Sequence, residues 1–337
     1  MPLRPALSAL FCLCAGAALA NPAPSEIVAT EVIPGFERLA EKADALETVA
    51  RTDCAPDSTA LRDAWSDAFD AWVRVSHLRL GPTETGDRAF ALAFWPDTRG
   101  FTPKTLATLI ADEDPSVETA ETFTHVSIAA RGFYAMEFLL FDPQFTDAGD
   151  YGCALIQAVT RDISDISDAI LEDWRTDFSD AFTEAEIGPD GRYRTNDEAL
   201  QALYTTLTSG LQFTSDTRLG RPLGTFERPR PTRAEAYRSE RSLRHVRLSL
   251  EATEDLALAL AQDAPEKVRT EIADAYDAAF AEVEAQESPV FAGVDTPMGR
   301  FKVEVLQQKI DTIRFVISSE LGPELGLAAG FNSQDGD

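Results

Sequence analysis

A single carboxylate set in an oily run is the first place to look for chemistry. In Arg131-Gly132-Phe133-Tyr134-Ala135-Met136-Glu137-Phe138-Leu139-Leu140-Phe141, Glu137 is the only acid. An unpaired buried carboxylate is expensive, so Glu137 must be neutralised, hydrogen-bonded, paired with an arginine or bound to a metal. Tyr134 lies three residues earlier and so on the same helical face. Gly132, one turn ahead, would let another backbone or a ligand approach closely. A structural Glu–Arg pair inside a bundle also accounts for these residues without any function.

Arginines offer the complementary charge. Between Arg218 and Arg247 stand nine arginines and three glutamates, in a chain whose formal charge is −27. Arg238, Arg241, Arg244 and Arg247 recur every third residue and would cover about half of a helix's circumference. Guanidinium forks grip carboxylates and phosphates in a bidentate manner. The stripe reads either as an anion site or partner for Glu137, or as a helix docked on the acidic remainder of the protein. Arg79 and Arg88 flank a long loop and are candidates for the same site. His77, His125 and His245 are scattered, with no HxxxH or HExxH pair, and read as structural. Asp63, Asp67 and Asp70 share one helical face and read as a solvated surface.

These residues need helices to position them. Leu61, Trp65, Phe69 and Trp72 fall on one face of a helix over 57–80, which opens at Asp57-Ser58-Thr59 and stops at Gly81-Pro82. Similar periodicity runs through 25–50, 116–142, 153–183, 195–219, 232–262, 266–286 and 297–320. No sustained two-residue alternation occurs, so the fold class is all-α. Two long interhelical loops, 81–104 and 220–232, hold most of the interior Gly and Pro, and loops of that kind often carry function. The length favours two packed helical bundles, 21–190 and 191–337.

Residues 1–20 read as a cleavable signal peptide: Arg4, a short apolar run, then Ala18-Leu19-Ala20 before Asn21. That run is too short to span a bilayer, so periplasmic export without membrane insertion is expected. Two cysteines remain after cleavage, Cys54 and Cys153, and an oxidising compartment favours a disulfide between them. The acidic surface would repel nucleic acid and anionic lipid, which disfavours both, and no nucleic-acid partner is expected.

The Gly132–Glu137 run resembles the GxHxxE signature of the imelysin-like family, which has been proposed as a metal or active-site motif. Phe94-Trp95-Pro96-Asp97 resembles the family's FWPD loop, Arg218-Leu219-Gly220-Arg221-Pro222-Leu223-Gly224 its second-half loop, and Gly330-Phe331-Asn332-Ser333-Gln334-Asp335-Gly336-Asp337 its tail. The resemblance covers nearly the whole mature chain. It implies two bundles with the site at their junction, and brings the FWPD-loop residues Trp95 and Asp97 near Tyr134 and Glu137; Arg131, Arg218 and Arg221 join them as candidate binding residues. It also implies a periplasmic protein of envelope iron uptake, with iron or a small ligand as cargo and iron-transport proteins as partners.

The family's histidine position holds Tyr134, giving a GxYxxE variant. A phenol must lose its proton before it ligates, and tyrosinate suits ferric iron. The change either shifts a Tyr134–Glu137 metal site toward Fe(III) or ends metal binding. A non-catalytic binding component is the expectation. An imelysin-type metallopeptidase would need an activated water or nucleophile, and neither a zinc pair nor a Ser–His–Asp set can be picked out. The alternative is an interaction protein with a decayed metal site and the arginine stripe as its docking surface.

Overall fold

The structure is a computed structural model that describes residues 21–327. The expected signal peptide and the 330–337 tail lie outside the described residues. Among those described there is no strand, only an isolated bridge between Thr225 and Arg228. The all-α expectation holds.

Pro24–Ile27 and a π-helical turn, Val28–Val32, run without a break into α1 (Ile33–Thr52), which buries Phe36, Leu39, Ala43 and Leu46 at helical spacing. Helix α2 (Thr59–Val75) starts where the Ser58 side chain accepts from Leu61 N, and buries Leu61, Trp65, Phe69 and Trp72. After α3 (Phe101–Asp112) and several short turns comes the motif helix α4 (Gly132–Phe141), then the long α5 (Gly149–Thr176). Helix α1 packs along α2 and α5, and α4 lies against α5. The Cys54–Cys153 disulfide joins the turn after α1 to the first turn of α5, with Cα atoms 5.2 Å apart.

The second group comprises α6 (Asn196–Gln212), α7 (Ser242–Leu260), α8 (Glu266–Glu284) and α9 (Pro297–Val316). Helix α7 packs on α6 and α8, and α9 on α8 and α6. The two groups meet where α7 crosses α2. Ion pairs cross that seam: Arg74 with Glu251, and both Arg241 and Arg244 with Asp70.

Three expectations change. The stretch 116–142 is not one helix: Asp114, Thr119 and Ser127 side chains each cap a new short turn, so the backbone restarts before α4. The helix expected from 232 begins only at Ser242, because Ala236 and Glu240 adopt positive φ and the segment before α7 folds inward. Asp70, read as part of a solvated face, is half-buried and holds two arginines, whereas Asp63 is exposed.

Candidate functional site

The site is built around the start of α4. Gly132 opens the helix at φ 71°, and a Cβ there would sit 2.1 Å from the Leu92 carbonyl oxygen. The close approach that the glycine suggested is therefore to the backbone leading into the 94–97 loop. Phe133 stacks on Phe69, and its carbonyl accepts from Trp65 Nε1 at 3.2 Å. This packing fixes which side of α4 turns Tyr134 and Glu137 toward the second half of the chain.

The Tyr134 hydroxyl donates to Glu235 Oε1. Glu235 Oε2 accepts from Arg218 Nε at 2.7 Å, and His245 Nδ1 lies 3.3 Å from the same oxygen. Arg218 also donates to Thr214 Oγ1 at 3.3 Å and Ser249 Oγ at 3.4 Å. Arg218 and Thr214 belong to a π-helical stretch, Phe213–Leu219, that extends α6. Such widened turns recur at functional sites because the extra residue re-aims side chains.

The charge states follow from burial and partners. Burial alone would raise the Glu235 carboxyl, but the Arg218 charge, His245 and the Tyr134 hydroxyl outweigh it and hold Glu235 at about 2. Burial first, then the Glu235 charge, pushes the Tyr134 phenol well above its ordinary value. Burial lowers His245 despite the neighbouring carboxylate, which leaves a neutral ring at pH 7. At neutral pH the cluster is an ionised carboxylate shared between a guanidinium and a phenol.

Glu137 is buried and turns to a different partner. Ser239 donates to Glu137 Oε1 through its backbone N–H at 3.0 Å and its hydroxyl at 2.9 Å. Burial raises the Glu137 carboxyl, opposed by the two Ser239 bonds and by the charge of Arg238. Arg238 itself pairs with Asp142 at 2.7 Å and lies over the Phe138 ring.

A cavity of about 230 Å³ opens against this arrangement, with Trp95, Asp97, Tyr134, Glu137, Arg221 and Arg238 in its wall. Trp95 stacks on Tyr134 with ring centres 6.2 Å apart, and the Arg221 guanidinium lies 5.8 Å above the Trp95 ring. Asp97 anchors the loop. It accepts from the backbone N–H groups of Arg99 at 3.2 Å and Thr102 at 2.8 Å, capping α3. Burial opposes its ionisation, but these amides prevail and lower its carboxyl.

Of the residues expected here, Tyr134, Glu137, Trp95, Asp97 and Arg221 share the cavity wall, and Arg218 stands behind Tyr134 through Glu235. Arg131 and Arg79 do not join them. Arg131 is spent on Asp162, at 2.9 and 2.6 Å, and on the Thr124 carbonyl, tying the entry of α4 to α5. Arg79 pairs with Glu84 and covers Phe90, while Arg88 pairs with Asp173. In each case an acid nearer the arginine takes the charge. Sequence reasoning missed Glu235, Ser239 and the contact role of His245. The available signal was Glu235 itself, an acid among nine arginines.

The donor set does not fit a resident metal ion. Tyr134 keeps its proton and donates a hydrogen bond to Glu235, Glu235 is bound by Arg218, and Glu137 faces Ser239 instead. Among the described residues no group of three or more His, Cys, Asp or Glu side chains could hold a metal.

The family model described as Imelysin matches residues 32–314. An imelysin-like protein from Psychrobacter arcticum 273-4 superposes with a TM-score of 0.77 at 20% identity, covering 91% of this chain and 96% of that one. A candidate iron-regulated protein A precursor from Parabacteroides distasonis ATCC 8503 gives 0.74 at 13% identity, covering 90% and 94%. No curated protein matches the chain.

Proposed function

The chain belongs to the imelysin family, and from that premise we propose that it is a non-catalytic, extracytoplasmic binding protein of envelope iron uptake. Its ligand is a small molecule, iron in chelated form foremost, received in the cavity between Trp95, Tyr134, Glu137 and Arg221. The observation that carries this reading is the state of the polar groups at the cavity wall. Its acids and its phenol are already matched, Tyr134 to Glu235, Glu235 to Arg218 and Glu137 to Ser239, while the Arg221 Nε at the same wall has no partner. A preorganised, satisfied set recognises a ligand at little ordering cost. Hydrolysis, by contrast, needs a base or nucleophile free to exchange protons, and this wall holds its protons fixed.

Iron enters as cargo, and the iron-regulated description of the Parabacteroides protein supports that context. The disulfide supports an oxidising compartment. No helix among the described residues is long and apolar enough to cross a membrane.

The test follows tryptophan fluorescence while Fe(III), presented as its nitrilotriacetate and as a trihydroxamate chelate, is added, with bare Fe(II) and Zn(II) as comparisons. A saturable change is expected with a chelate, weakened roughly 5- to 150-fold in Trp95→Ala and Glu137→Gln, since each removes a contact of about 1–3 kcal/mol. Failure of both chelates to give saturable binding would sink the reading. So would identical binding by the folded variants, leaving the interaction-protein alternative.

A further inference from the structure

The arginines of this chain divide sharply. Those of the stripe are consumed: Arg238 by Asp142, Arg241 and Arg244 by Asp70, and Arg247 by Glu251 and Glu284. This is the docking alternative of the two readings of the stripe. The loop just before it behaves differently. Arg221, Arg228, Arg230 and Arg233 line one groove of about 360 Å³, with Asp216 the only acid in its wall, and Asp216 already faces Arg314 at 3.4 Å. Among the described residues none of the four guanidinium groups makes an ion pair or hydrogen bond, and the Arg221 Nε is buried without a partner. Arg233 stands close enough to help lower Arg221, after burial.

Four like charges held together repel unless something neutralises them, and a chain of formal charge −27 has acids to spare for that. The backbone nevertheless holds them in place. Gly224 has φ 55°, and a Cβ there would meet the Arg228 carbonyl oxygen at 2.4 Å, so the turn that brings Arg228 and Arg230 back requires glycine. Arg230 N donates to Pro222 O at 2.8 Å and Arg228 N to Thr225 O at 3.1 Å. From outside the loop, Arg300 donates to the carbonyls of Leu223 at 2.7 Å and Thr225 at 3.2 Å. An ordered loop that presents unspent guanidinium forks is a receptor for oxyanions.

We infer that this groove binds a small polyvalent oxyanion, a molecule carrying two or more carboxylate or phosphate groups. The size of the groove and the acidity of the surrounding surface select a compact anion, because an extended polyanion would be repelled beyond the groove's rim. Arg221 and Arg233 also line the cavity beside Tyr134, so the two spaces share a wall. The inference rests on the groove's own residues and stands apart from the ligand assigned to that cavity.

Calorimetric titration tests it, using citrate and pyrophosphate against acetate at matched ionic strength. The proteins compared are the wild type, an Arg228→Gln/Arg230→Gln variant and Glu137→Gln, with circular dichroism confirming that each is folded. Arg228 and Arg230 lie outside the cavity wall, so their loss reports on the groove alone. Saturable binding of a polyvalent anion is expected, weakened at least tenfold in the double variant and unchanged in Glu137→Gln. Citrate alone would assign a carboxylate ligand and pyrophosphate alone a phosphate one. The inference falls if neither anion binds better than acetate, or if the double variant binds as tightly as the wild type. A loss confined to Glu137→Gln would move the anion into the cavity and likewise overturn it.

Discussion

A carboxylate with almost no water around it survives only when its partners are fixed, and Glu235 has Arg218, Tyr134 and the nearby ring of His245. Its 2% side-chain exposure means that each partner removed leaves a charge stranded. Arg218→Met should therefore cost about 3–5 kcal/mol of stability in urea unfolding, while Arg218→Met with Glu235→Gln should recover much of it. Equal losses in the single and double variants would show that the ion pair is not what the fold depends on. Glu137 was legible in the sequence because a lone acid in an apolar run announces itself. Glu235 was not, because its meaning comes from a tyrosine 101 positions away. Distance along the chain hid Ser239 in the same way, since serine has no preference that marks it as the partner of a buried carboxylate.

Helix α4 is what turns those residues into a site, and Gly132 decides whether α4 can be where it is. Alanine at 132 would face both a positive φ and the carbonyl oxygens of Ala91 and Leu92, at 2.3 and 2.1 Å. Gly132→Ala should destabilise the protein by at least about 2 kcal/mol, read from the urea midpoint, and displace the 94–97 loop. A near-neutral substitution would mean that the two backbones separate freely. At this scale the periodic helices were legible: the run from Pro24 through α1 spans the expected 25–50, α8 and α9 start where their apolar spacing does, and α2 starts at Thr59 but ends at Val75, short of the expected 80. The segment before α7 was not. Its arginines recur at helical spacing, yet Ser239 gives its N–H to Glu137, and Ser242 gives its hydroxyl to the Glu235 carbonyl. Those tertiary bonds compete with the helix and win. The widened turn at Phe213–Leu219 was equally silent, since one extra residue per turn leaves no mark on an apolar pattern.

Across the whole molecule, acidity and buried histidines set how stability answers to pH. Burial, with a contribution from the Arg218 charge, lowers His77 to about 4, and burial lowers His245 as well. An unfolded chain takes up these protons near the ordinary histidine value of about 6.5, before the folded one does. Acidification below that value therefore draws the protein toward unfolding, and the effect of His77 is complete at about 4. Its size for His77 is ~3 kcal/mol. Glu235 acts in the same direction further down, its contribution being present above about 4.5 and lost as pH falls toward about 2. Glu137, raised by burial, opposes them: it binds its proton more tightly in the folded protein and so favours the fold in acid. The drop in urea stability between pH 7 and pH 4.5 should shrink by about 2 kcal/mol in His77→Leu. An unaltered pH profile would mean that His77 titrates alike in both states.

The disulfide encloses residues 54–153, which include both Trp95 and Tyr134. The exposed residues Asp112 and Glu113 fall between those two aromatic rings. A protease cutting there would sever the chain between the two stretches that line the cavity, yet Cys54 would stay with one fragment and Cys153 with the other. The nicked molecule would travel as one particle, both rings still tethered, until a reductant let the pieces drift apart.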